Sequence, residues 1–156
     1  MEQKIAVPNI FLCDLLNECL IVENPQEKGR KFEDVVALCF NSLGNYNAFK
    51  AKNKDVFVYV NPSSKLSHII KIILVECKNI GSDVTADHIS SLVVKLKSYR
   101  AFPTLGLVIT TTKLQDRAKQ NIGDNPIIIV KLKELLNYLK KEKSIDDLIL
   151  DKFPAM

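Results

Sequence analysis

The chain has no apolar run of the roughly 20 residues that a membrane-crossing helix needs. Its N-terminus does not read as a leader either: Met1-Glu2-Gln3-Lys4 precedes an apolar stretch that Asp14 and Glu18 interrupt. With both signals missing, a cytoplasmic protein without a membrane partner is the expectation. Metal-binding side-chain patterns are equally scarce. None of Cys13, Cys19, Cys39 and Cys77 forms a CxxC pair, and each sits among apolar neighbours, as small core residues do. His68 and His88 lack ligand spacing, which argues against a structural zinc site. No glycine-rich loop follows an apolar run, so a phosphate-cradling small-molecule site has no support. Internal repeats and low-complexity segments are absent.

What is present describes one globular domain. At 156 residues, with 47% apolar and 26% charged side chains, the chain is long enough and apolar enough to bury a core. The net charge of +4 permits contact with nucleic acid without requiring it.

Helical periodicity covers residues 9–22, ended by Asn24-Pro25, and 27–43, where Gly44 is placed to cap. Strands are expected at 48–52, 55–60 and 69–78. In the second, Val56, Val58 and Val60 take one face while Asp55, Phe57 and Tyr59 take the other. A helix over 85–101 buries Ile89, Leu92, Val93, Leu96 and Tyr99. Apolar strands at 105–110 and 126–130 follow, with a basic helix at 112–122 between them and a helix at 131–141 after them. A three-stranded meander followed by strand–helix units implies an α/β fold with a mixed central sheet flanked by helices. We read residues 1–25 as an N-terminal helical extension, 26–142 as the core domain and 143–156 as a C-terminal tail.

The chemistry-bearing segment is Ile69-Ile70-Lys71-Ile72-Ile73-Leu74-Val75-Glu76-Cys77-Lys78. It is a buried apolar strand that ends in an acid and a lysine on the same face. A hairpin centred between Lys65 and Leu66 pairs Asp55 with Glu76, which brings two carboxylates within cross-strand reach. Such a pair needs a cation, and Mg2+, with Mn2+ as a substitute, is the natural one for oxygen donors beside a phosphate. Lys78 would orient an attacking water or offset charge on phosphorus. The same acid-x-lysine triplet also fits an ion pair at a sheet rim. Lys95, Lys97 and Arg100 on one helix, and Lys113, Arg117 and Lys119 on another, are candidate DNA-phosphate contacts or simply solvated faces.

In order and spacing, Lys28-Gly29-Arg30-Lys31-Phe32-Glu33, Lys54-Asp55-Val56-Phe57-Val58, Val75-Glu76-Cys77-Lys78 and Leu105-Gly106-Leu107-Val108-Ile109-Thr110-Thr111 resemble the PD-(D/E)XK nucleases. Within them, the Mrr-like restriction endonucleases fit best, over roughly residues 26–140. The resemblance implies a restriction-endonuclease-like αβββαβ core. It implies Asp55 and Glu76 as metal ligands, the Cys77 carbonyl as a further ligand, Lys78 as the catalytic lysine and Glu33 as a helix-borne acid lining the site. Lys54 stands where a proline or glycine-rich lead-in to Asp55 is usual. Asp87-His88-Ile89 replaces the glutamine motif of the RecB-like branch.

The implied function is a metal-dependent DNA endonuclease, or the catalytic domain of one, of the restriction or defence type. A Holliday-junction resolvase and a nuclease-like module that binds DNA without cutting are the alternatives. Because such enzymes cut two strands, a homodimer or a place in a larger restriction or repair complex is expected.

Overall fold

The computed structural model describes residues 7–51, 56–78, 83–99 and 101–153. Its elements run α1 (Asn9–Cys19), α2 (Pro25–Asn41), β1 (Tyr46–Lys50), β2 (Val56–Val60), β3 (Ile72–Lys78), α3 (Ala86–Lys97), β4 (Thr104–Thr110), α4 (Asp116–Ile122), β5 (Ile127–Lys131), α5 (Leu132–Lys140) and α6 (Ile145–Lys152). The five strands form one sheet in chain order. β1, β2 and β3 are antiparallel neighbours, whereas β3, β4 and β5 run parallel. This is the mixed sheet that a meander followed by strand–helix units demands.

Alternation along the strands feeds two cores. Val56, Val58, Ile73, Val75, Leu105, Leu107, Ile109, Ile128 and Val130 pack with α1, α2, α5 and α6. Phe57, Ile72, Leu74 and Val108 pack with Ile89, Leu92, Leu96 and Ala118 of α3 and α4. The central strands are therefore apolar on both faces, which is why they read as continuous Ile, Leu and Val.

Several boundaries differ from the sequence reading, and each has a tertiary cause. β1 begins two residues earlier than expected because Tyr46 and Asn47 already pair with Val60 and Tyr59, and the Asn41 side chain clamps Ala48 through both its N–H and its carbonyl. Ile69–Lys71 stay outside β3; Lys71 N–H donates instead to the Pro103 carbonyl. α4 begins at Asp116 rather than 112, because Leu114 bridges to Val84 and ties together the loops that follow β3 and β4.

Residues 143–156, expected as a tail, hold α6, whose Ile145, Leu148 and Ile149 join the larger core. Asp146 of that helix is 3% exposed and accepts from the Tyr46 hydroxyl at 2.9 Å, and the Ser144 hydroxyl donates to its other oxygen. Burial, then the Asp146 charge, pushes the Tyr46 pKa up, so the phenol stays a donor. Tyr46→Phe removes a hydrogen bond to a buried carboxylate and should lower unfolding free energy by about 1.5–3 kcal/mol, read as a shift of the urea midpoint.

The three buried cysteines follow the same logic of desolvation. Cys39 of α2, buried near Cys13 and Cys19 of α1, has its pKa pushed up to about 12, chiefly by burial, so its thiol stays protonated as a core group.

Candidate active site

The site lies where β3 ends. Glu76 and Lys78 are alternate residues of one strand, so both leave the sheet on the side covered by α3. Cys77 points the other way and packs its side chain against the larger core. Glu76 is 8% exposed, an expensive position for a carboxylate without cations. Lys78 Nζ lies 3.6 Å from its Oε2, and Lys95 Nζ donates to its Oε1 at 2.9 Å. A hollow of about 180 Å³ opens beside this group, lined by Ala51, Val56, Phe57, Glu76, Lys95 and Tyr99.

Two neighbours shape the site from above. Thr110, fully buried, pairs alongside Lys78, and its hydroxyl accepts from the Thr112 N–H at 3.1 Å, turning the chain away from the strand end. His88 accepts from the Thr85 N–H at 3.0 Å through Nδ1, capping the first turn of α3. Burial, and then the nearby Lys78 charge, lower its pKa below the ordinary 6.5.

The sign of that shift gives a pH dependence. The unfolded chain takes up a proton near pH 6.5 that the folded chain resists, so His88 contributes its full stability above that range and loses it as the pH falls. The melting temperature should therefore drop from pH 7.5 to 5.5 by more in the wild type than in His88→Gln, whose amide oxygen keeps the cap at either pH.

The hairpin has the register the site requires. Val56 pairs with Val75, Phe57 with Leu74, Val58 with Ile73 and Tyr59 with Ile72, as a turn centred between Lys65 and Leu66 dictates. Asp55 itself lies outside the described residues.

The family model for the catalytic domain of Mrr, a restriction endonuclease, matches residues 26–139. The chain belongs to the Mrr restriction endonuclease family. No curated protein matches it. Among solved structures, the DNA modification-dependent restriction endonuclease AspBHI resembles it over 91% of this chain, with a TM-score of 0.55 and 15% identity. The chain spans 38% of the AspBHI chain.

Within this Mrr-type domain, the structure brings together Glu76, Lys78 and a residue that sequence reasoning placed elsewhere. Lys95, read from the sequence with Lys97 as a candidate DNA-phosphate contact or part of a solvated face, does not share a face with Lys97. Residues two apart on a helix project about 200° apart, so Lys95 reaches inward to Glu76 while Lys97 stays exposed. The signal was available: Lys95 follows Leu92 by three positions and His88 by seven, on the flank of the buried stripe. Arg100 lies outside the described residues, and Lys113, Arg117 and Lys119 are exposed at and beside α4.

Glu33 is half-buried on α2. It lines a second hollow, of about 360 Å³, with Pro25, Gln26, Gly29, Arg30, Lys50 and Ala51. Among the described residues, Ala51 alone lines both hollows. Lys50 closes this wall by pairing with Asp34 at 2.8 Å and donating to the Arg30 carbonyl at 3.2 Å.

Among the described residues no group of three or more His, Cys, Asp or Glu side chains could hold a metal ion. The described donors for a hard cation are the Glu76 carboxylate and the Cys77 carbonyl. Both are oxygen donors, the kind a hard cation takes, and an ammonium already stands against each oxygen of the carboxylate. No helix among the described residues is long and apolar enough to cross a membrane.

Proposed function

We propose that this domain hydrolyses DNA phosphodiester bonds as a Mg2+-dependent endonuclease, with Asp55, Glu76 and the Cys77 carbonyl as the metal ligands. The observation that carries the reading is Lys78 beside Glu76 at the end of β3, both on the face turned toward α3, in a chain of the Mrr family. A bound Mg2+ or Mn2+ would polarise the phosphodiester and lower the pKa of a coordinated water. The chain's own residues supply the rest. Glu76 anchors one side of the site from a rigid, doubly covered strand. Lys78 sits close enough to orient the attacking water and to offset negative charge that builds on the phosphoryl oxygens. Glu33 lines the neighbouring wall, and Lys97, Lys113, Arg117 and Lys119 offer sequence-independent contacts to the DNA backbone.

Cutting two strands takes two such sites, so the working unit is proposed to be a homodimer or a subunit of a larger restriction or repair complex. Incubation with supercoiled plasmid tests the reading. Nicked and linear products with Mg2+ or Mn2+, and none with chelator, are expected. An intact plasmid under every metal, alongside undiminished DNA binding, would instead identify a non-cleaving module. Strong preference for four-way junctions over linear duplex would identify a resolvase.

A further inference from the structure

Glu76 has a second cation that the proposed reaction does not use. Lys95 comes from α3, a different element from the catalytic strand, and its Nζ makes a shorter contact with the carboxylate than Lys78 does: 2.9 Å to Oε1 against 3.6 Å to Oε2. Both oxygens of a single buried carboxylate therefore have an ammonium against them. An ammonium at hydrogen-bond distance from a carboxylate oxygen meets the charge demand that a metal ion would meet. It also repels any divalent cation approaching that oxygen, and near a partly desolvated site the repulsion is weakly screened.

We infer that Lys95 is a built-in counter-ion for Glu76: it holds the carboxylate in place without metal, opposes metal entry in the absence of DNA, and yields when a substrate phosphate offers its ammonium another anion. The inference rests on Glu76 being a metal ligand. Its physical basis is a competition for one oxygen. Lys95 has the means to move, because its side chain is about a third exposed and ends beside the open hollow rather than in the core. A lysine ammonium on a flexible four-carbon stem exchanges partners more readily than a guanidinium in a bidentate fork. Lys95 is on this account a positioning residue that sets when the metal binds.

The test is Mn2+ binding to the whole chain without DNA, by titration calorimetry, for the wild type, Lys95→Met, Lys95→Gln, Lys95→Arg and Glu76→Gln, each first shown to melt cooperatively. Removing a charge this close to a ligand oxygen should tighten Mn2+ binding roughly tenfold or more in Lys95→Met and Lys95→Gln. Lys95→Arg should stay near the wild type, and Glu76→Gln should lose binding. A merely structural lysine would give the opposite result, because its loss loosens the site and weakens binding. If Mn2+ affinity is unchanged or weaker in both neutral variants while Glu76→Gln abolishes it, the inference falls and the metal reading stands. If no protein in the set binds Mn2+, the metal reading falls and this one with it.

Discussion

Lys78→Ala should abolish plasmid cleavage, by about 10³-fold or more, while leaving the melting temperature within a few degrees of the wild type. The two readouts separate because Lys78 is not what keeps Glu76 folded. Its contact is the longer of the two, and Lys95 remains hydrogen-bonded to the carboxylate when Lys78 is removed. Both lysine side chains reach solvent, so the lost pair is worth no more than about 1 kcal/mol.

Glu76→Gln should lose activity to the same extent for a different reason. A neutral amide gives up the negative charge that would attract a cation, and two ammonium groups are left facing each other across it. Some loss of stability should accompany that change, unlike in Lys78→Ala. Cleavage by Lys78→Ala at near wild-type rate would remove the lysine from the mechanism and reduce the strand end to a rim ion pair.

Gly106→Val should be among the most destabilising single changes in the chain that add no charge. Gly106 lies in β4 under α3, and a Cβ there would come within 3.1 Å of Ile127 Cγ1, 3.1 Å of Leu92 Cδ2 and 3.2 Å of Leu96 Cδ1. The first carbon already squeezes the ends of two buried leucines and the half-buried Ile127. For alanine, the gain in backbone entropy of about 0.5–1 kcal/mol roughly offsets that squeeze. Valine adds two more methyl groups with nowhere to go, and overpacking of this kind costs about 1–3 kcal/mol or more.

Leu92→Ala alone should cost about 2–5 kcal/mol, since Leu92 is fully buried in the α3–sheet core. Combined with Gly106→Val, it vacates one of the spaces that valine needs. The double variant should therefore be more stable than the sum of the two losses implies, by about 1 kcal/mol or more in chemical denaturation. Strict additivity would show that Leu92 is not the obstacle.

The placement of Glu76 and Lys78 at one strand end was legible in the sequence because the strand period is local and short. Glu76 and Lys78 had to share a face whatever the rest of the fold did. The turn chemistry of Asn61-Pro62-Ser63-Ser64 and the apolar runs on either side set the register that pairs Val56 with Val75. α6 was missed for the converse reason. An eight-residue helix is marginal alone, and this one is held by burial of Ile145, Leu148 and Ile149 and by a bond from Tyr46, a hundred positions away. Its local signals are short: Ile145, Leu148 and Ile149 at helical spacing and the Ser144–Asp147 capping box, spread over less than two and a half turns.

The sequence by itself determined the order of the elements as far as α5, the two faces of each strand, the hairpin register and the acid–lysine pair, because all of these follow from periods of 2 and 3.6 residues and from turn chemistry. Only the tertiary structure decided which lysine of α3 reaches Glu76 and why position 106 is glycine. Both depend on how closely and at what rotation α3 lies on the sheet. That placement is fixed by the interlocking of Leu92, Leu96 and Ile127 over Gly106, contacts between segments that no periodicity connects.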